Sequence, residues 1–122
     1  MSANILTVDD SASIRMTTKI ALTNAGYQVT EAVDGADGLA KAKSAPFDLI
    51  VTDLNMPNMN GLEMIEALRQ SPAHTGVPII FLTTESDADM KARAKAAGAT
   101  GLVTKPFDPE NLVKIVRKVL GK

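Results

Sequence analysis

The sequence predicts an α/β protein: a doubly wound, three-layer (βα)5 sandwich on a parallel five-stranded sheet. Three observations predict it. Five short apolar runs alternate with five helical patterns, and no segment is left over. Two of the runs, Leu49-Ile50-Val51 and Ile79-Ile80-Phe81-Leu82, are apolar throughout. They tolerate no wet face and belong at the centre of the sheet. Polar residues able to do chemistry fall where the runs end rather than inside them.

Ile5 to Val8 is the first strand and runs into Asp9-Asp10. Ser11 and Ser13 offer N-caps to a helix that carries Ile14, Thr18, Ala21, Leu22 and Ala25 on one face, and Gly26 stops it. Gln28 to Ala32 is the second strand, Asp34-Gly35 turns the chain, and a second helix runs to about Ser44, ahead of Pro46. The third strand, Leu49 to Asp53, is broken off by Pro57 and Gly61. A helix from Gly61 to about Arg69 turns Leu62, Ile65 and Leu68 inward. Pro72 and Gly76-Val77-Pro78 bracket a loop, and the fourth strand ends in Thr83-Thr84. An Ala- and Lys-rich helix from about Asp87 to Ala97 stops at Gly98. Gly101 to Thr104 is the last strand, followed by Lys105-Pro106. The final helix, from about Pro109, shows the amphipathic stripe Leu112, Ile115, Val116, Val119, Leu120. Residues 1–122 are expected to form one domain with nothing left for an output domain.

Composition narrows the function classes. With 45% hydrophobic and 22% charged residues the chain can build a core without staples. The absence of cysteine removes disulfides, thiolate metal sites and a Cys nucleophile, and fits a reducing compartment. A net charge of -1 offers no broad basic field for nucleic acid. No apolar run approaches the ~18 residues of a membrane helix, and the N-terminus has no signal-peptide pattern, so a cytoplasmic protein is expected; the chain is also expected to be a monomer. Few aromatic rings argue against flavin or single-stranded nucleic acid.

Asp9 and Asp10 follow the first strand, Asp53 ends the third, Thr83 ends the fourth and Lys105 follows the fifth. In a parallel sheet these ends share one edge, and ligands bind there where the winding reverses. Taken singly each residue has an ordinary explanation: an Asp opens a turn or caps a helix, a Thr suits a strand, a Lys suits a surface. Five of them delivered to one edge by four strands do not. If the first and third strands are neighbours, the three Asp meet. Crowded like charges demand a cation or a proton. With only carboxylate and carbonyl oxygens on offer, Mg²⁺ fits best; the lone His74 lies in a loop and reads as a solvated surface residue. An ordinary carboxylate is ionised at neutral pH and can attack phosphorus without a general base. Mg²⁺ and Lys105 would neutralise phosphoryl oxygens, and Thr83 could donate a hydrogen bond to one.

The Asp9-Asp10 pair, the run Thr52-Asp53-Leu54-Asn55-Met56-Pro57-Asn58-Met59-Asn60-Gly61, Thr83, and Lys105-Pro106-Phe107 resemble, in the same order, the receiver domain of bacterial two-component response regulators, above all the single-domain chemotaxis members of the CheY type. The resemblance covers the whole chain. It implies the flavodoxin-like strand order 2-1-3-4-5, for which the CheY-type proteins of this family are themselves a standard illustration. It implies that Asp53 accepts phosphate from a CheA-like histidine kinase, that Asp9, Asp10, Asp53 and the backbone carbonyl of Asn55 surround Mg²⁺, and that Thr83 and Lys105 contact the phosphoryl group. It further implies a cis Lys105-Pro106 bond, which Pro permits. The chain would be a signalling protein rather than an enzyme, with self-phosphorylation from phosphodonors and self-dephosphorylation. Asn55 and Glu85 match the family's rate-tuning positions and resemble the chemotaxis members. Leu102 departs: the family usually has an aromatic residue three before the Lys, which changes rotamer on activation. The implied output face is the fourth helix, fifth strand and fifth helix, with Met90, Lys91, Lys95, Leu102, Lys114 and Lys118 as candidates, although each Lys alone reads as solvated surface. Possible partners are a flagellar switch protein, a phosphotransfer protein in a relay or cell-cycle pathway, and a phosphatase; a phosphate sink is also compatible.

Two other classes fit less well. A flavodoxin-type electron carrier needs a hydroxyl- and Gly-rich phosphate loop after the first strand, where this chain has Asp9-Asp10. An aspartyl-phosphate hydrolase of the haloacid dehalogenase type needs a second Asp two residues after the first-strand nucleophile, where this chain has Ser11.

Overall fold

The computed structural model describes residues 3–53, 61–70, 77–83, 88–104 and 108–121, without the side chains of 62, 83 and 88–91. The elements alternate strictly: β1 (Asn4–Val8), α1 (Ala12–Asn24), β2 (Gln28–Ala32), α2 (Gly35–Ser44), β3 (Leu49–Asp53), α3 (Gly61–Arg69), β4 (Ile79–Thr83), α4 (Ala88–Ala96), β5 (Gly101–Thr104) and α5 (Pro109–Leu120). All strands are parallel, in the order β2-β1-β3-β4-β5. This is the predicted doubly wound sandwich. β1 starts one residue earlier than the pattern indicated, and α4 ends one residue sooner.

Burial explains the order. Every residue of β3 is buried, Thr52 and Asp53 included, and the strand lies at the centre. β1 lies beside it and is buried from Ile5 to Val8. At the edge, β2 alternates between exposed and half-buried residues until Ala32, as a strand with one wet face does. One face of the sheet packs Ile5, Leu49, Val51, Ile80 and Leu82 against Leu22 of α1 and Leu112 and Val116 of α5. The opposite face packs Leu6, Val8, Ile50, Ile79 and Phe81 against Ala42 of α2, Met64, Ile65 and Leu68 of α3, and Ala94 of α4. Burying each large apolar side chain of these layers contributes about 1.5–3 kcal/mol.

Local chemistry sets the helix ends. The Ser11 hydroxyl accepts from the Ile14 N–H, and α1 stops just before Gly26, whose φ of 98° is the left-handed conformation that suits glycine. Asp34 caps α2 by accepting from the Asp37 N–H at 2.8 Å, while the Asp37 carboxylate accepts from the Val33 N–H at 3.0 Å. Asp108 caps α5. Arg69 at the end of α3 donates from Nη2 to the carbonyls of Val77 (2.9 Å) and Gly98 (3.2 Å), so one guanidinium ties α3 to the entry of β4 and to the residues after α4. Burial pushes that guanidinium below its ordinary pKa. Among the described residues, no helix is long and apolar enough to cross a membrane.

Candidate functional site

The register delivers the acids. Val8 pairs with Thr52 across β1 and β3, so the residues that follow, Asp9 and Asp53, leave the sheet side by side. Carboxylate oxygens of Asp9, Asp10 and Asp53 all lie within 4.8 Å of one another. Asp9 is 2% exposed and Asp53 is 7% exposed, whereas Asp10 opens to solvent. Two buried carboxylates and one exposed carboxylate thus meet at the switch point between β1 and β3.

Several contacts hold this geometry. The Asp9 N–H donates to the Ala32 carbonyl at 3.2 Å, which carries the β1–β2 pairing one residue past β1 to the first of the acids. Asp9 Oδ1 accepts from the Ser11 N–H at 2.9 Å. The Asp9 carbonyl accepts from Arg15 Nη1 at 2.6 Å. At the neighbouring strand end, Thr52 Oγ1 donates to the Asp53 carbonyl at 3.1 Å. Gly61, the first residue of α3, lies so close to that carbonyl that a β-carbon would run into it and would also press on the Phe81 ring. Only glycine lets α3 start here without displacing the end of β3.

The donor set is all oxygen and all carboxylate; among the described residues no His or Cys joins it. Hard cations such as Mg²⁺ take this kind of set, usually with one or two protein carboxylates and several waters, and the exposed Asp10 side leaves room for those waters.

The other predicted site residues divide into three groups. Asn55, Glu85, Lys105 and Pro106 lie outside the described residues, as does His74. The backbone of Thr83 is placed: it follows Leu82, which pairs with Asp53, and itself pairs with Thr104, so it ends at the same edge as the acids. The side chains of Met90 and Lys91, on α4, are not described. In the candidate output set, Lys95 and Leu102 line one hollow of about 290 Å³ between α4 and β5. Leu102 is half-buried and packs on the α2–α3–α4 side of the core. Lys118 is exposed. Lys114 lines a different groove, of about 620 Å³, between α1 and α5, together with Thr17, Ile20 and Val113. None of the three acids lines either depression.

Sequence reasoning missed Arg15 and Glu31. The usable signal was a cation six residues after Asp9 on the helix that the acids introduce; an α-helix turns fast enough for a long side chain there to fold back over its own N-terminus.

Over residues 5–117 the chain matches the response regulator receiver domain, and it belongs to that family. Receiver domains of this family accept phosphoryl groups from histidine kinases. The chain is similar to the chemotaxis protein CheY4 of Vibrio cholerae, with 46% identity, a TM-score of 0.93 and coverage of 98% of this chain and 99% of that one. It is also similar to the receiver domain of the sensor histidine kinase PA1611 of Pseudomonas aeruginosa, with 26% identity, a TM-score of 0.91 and full coverage of both chains; that structure has a magnesium ion coordinated in its active-site cleft. Among curated proteins it is 40% identical over 119 residues to response regulator ArlR of Staphylococcus epidermidis, covering 98% of this chain and 53% of that protein. The chain thus spans about half the length of these curated relatives.

Proposed function

We propose that this protein is a phosphorylation-activated switch in which Asp53 is the phosphoacceptor. The observation that carries this reading is the meeting of the Asp9, Asp10 and Asp53 carboxylates within 4.8 Å at the C-terminal ends of β1 and β3. An Asp53 oxygen attacks the phosphorus of a kinase phosphohistidine; the P–N bond breaks, and the imidazole leaves with the electron pair and is protonated. Hydrolysis reverses the state: water attacks phosphorus, the bond to Asp53 breaks, and inorganic phosphate leaves. Asp9, Asp10 and Asp53, with the carbonyl of Asn55, would hold Mg²⁺, which when bound would supply positive charge against the phosphoryl oxygens. Thr83 and Lys105 contact the same oxygens, Thr83 as a hydrogen-bond donor and Lys105 as a cation. The burial of Asp9 and Asp53 keeps bulk water from screening these charges. The protein acts as a signalling module in the cytoplasm and does not turn over a metabolite.

Phosphorylation shifts a population: the phosphoryl group favours a state in which Thr83 moves toward Asp53 and the α4–β5 region repacks, with Leu102 in place of the usual aromatic residue. The pathway is chemotaxis, with a CheA-like kinase and a flagellar switch target. Support comes from similarity to CheY4 along nearly the whole of both chains and from Asn55 and Glu85. The ArlR likeness favours a second reading, a regulator outside motility that exchanges phosphate with a phosphotransfer protein.

Beryllofluoride titration in the presence of Mg²⁺, followed by amide chemical shifts, tests the site. Saturable shifts at Asp9, Asp10, Asp53 and Thr83 are expected, and Asp53→Asn abolishes them. Wild-type shifts in Asp53→Asn would sink the assignment. Pull-down with activated against unactivated protein then separates a flagellar switch protein from a phosphotransfer protein.

A further inference from the structure

We infer that Arg15, seated by Glu31, is a positioning residue that sets the angle between Asp9 and Asp10 and so the cation affinity of the acidic site. The inference rests on the cation-binding reading of those acids. Arg15 lies on α1, and its side chain is only 18% exposed. Its Nη1 donates to the Asp9 carbonyl at 2.6 Å, a short charge-assisted bond. That oxygen belongs to the peptide joining Asp9 to Asp10. Because a peptide is planar, fixing its oxygen fixes the direction in which the chain enters Asp10. One contact therefore governs how a buried and an exposed carboxylate face each other.

Glu31 keeps the guanidinium in place. It lies one residue before the end of β2, opposite Thr7 of β1, and its backbone carbonyl accepts from Lys41 Nζ at 2.6 Å. Its Oε1 is 4.0 Å from Arg15 Nε, too long for a hydrogen bond, so it acts as a charge rather than a ligand. Lys19 Nζ, 3.8 Å from Glu31 Oε2, restrains the same carboxylate from the next turn of α1. Ion pairs as open as these contribute little stability. Their effect is to choose a rotamer: a guanidinium held between Glu31 and the Asp9 carbonyl does not swing to solvent.

The sign of the effect separates positioning from plain electrostatics. Arg15 brings a positive charge onto the peptide that joins two of the three acids. If that charge were its only influence, removing it would tighten Mg²⁺ binding. If Arg15 positions the acids, removing it weakens binding, in the range of about tenfold or more seen when the outer partners of metal ligands are lost. Calorimetric Mg²⁺ titrations of the full chain as wild type, Arg15→Gln and Arg15→Lys decide between the two, with amide spectra confirming that each variant is folded. The expected results are about tenfold weaker binding for Arg15→Gln and a smaller loss for Arg15→Lys, which keeps the charge but lacks the planar fork. Unchanged or tighter binding in Arg15→Gln, or wild-type affinity in Arg15→Lys, would overturn the inference. Should Arg15→Gln fail to fold, the charge-conserving Lys variant decides alone. Absence of saturable Mg²⁺ binding in the wild type would instead overturn the cation reading, and the inference with it.

Discussion

Among the described side chains, the two helices that flank β5 turn very different groups into the core. α5 sends Leu112 and Val116 fully into the core and lays Val113, Ile115, Val119 and Leu120 against it. It is capped by Asp108 at one end and by a Gly121 N–H that donates to the Arg117 carbonyl at the other. α4 buries one of its described side chains, Ala94; Ala92, Arg93, Lys95 and Ala96 are exposed. Among the described side chains, one methyl group anchors α4 where two branched side chains anchor α5. The acid-bearing edge resembles α5 in this respect, because strand pairing, the Ser11 N–H, Arg15 and Gly61 all fix it. A module that must respond to one added phosphoryl group needs a firm site and a loosely held neighbour, since elements that move are drawn from the low-stability end of a fold. The proposed switch assigns the firm role to β1, β3 and α5 and the loose role to α4.

Substitutions can break this contrast. Leu112→Ala has the largest expected effect on stability, a loss of about 2–5 kcal/mol in urea denaturation, because the site leaves a cavity between α5 and the sheet. Gly61→Ala comes next and acts on the site: the new methyl displaces the Asp53 carbonyl, so Mg²⁺ affinity falls together with stability. Mg²⁺ at a hundred times its Kd should stabilise the wild type by about 2.7 kcal/mol and leave Asp53→Asn with much less, read as a shift in thermal midpoint. Ala94→Gly, in α4, should cost only about 1 kcal/mol globally while speeding hydrogen exchange in α4 and not in α5. Equal losses for Leu112→Ala and Ala94→Gly would show that the two helices are held alike.

Much of this was legible in the chain. Leu49 to Val51 and Ile79 to Leu82 have no polar residue to turn outward, so their central place followed from composition alone. β1 was harder, because Thr7 disguises a strand that is in fact buried on both faces. Asp53 was legible from its place at a strand end, and the meeting of the three acids needed only the β1–β3 adjacency. Three features were not legible. The Ala-rich repeat of α4 reads the same on every face, so the pattern gave no rotation about its axis and did not single out Ala94 as a residue it turns to the core. Lys114 shares with Lys95 the output face that the resemblance implies, and spacing along α5 does not say that it also meets the groove beside α1. Arg15 escaped because periodicity follows where Cβ atoms point, whereas a guanidinium several bonds away can fold back to an earlier carbonyl.

The central claim is that Asp53 is the atom-accepting end of a cation-assisted site. Intact-mass measurement after incubation with acetyl phosphate tests it most directly, with and without Mg²⁺ and in wild type and Asp53→Asn. The account predicts one phosphoryl group on the wild type, dependent on Mg²⁺, and none on Asp53→Asn. Equal uptake by both proteins, or uptake indifferent to Mg²⁺, would contradict it.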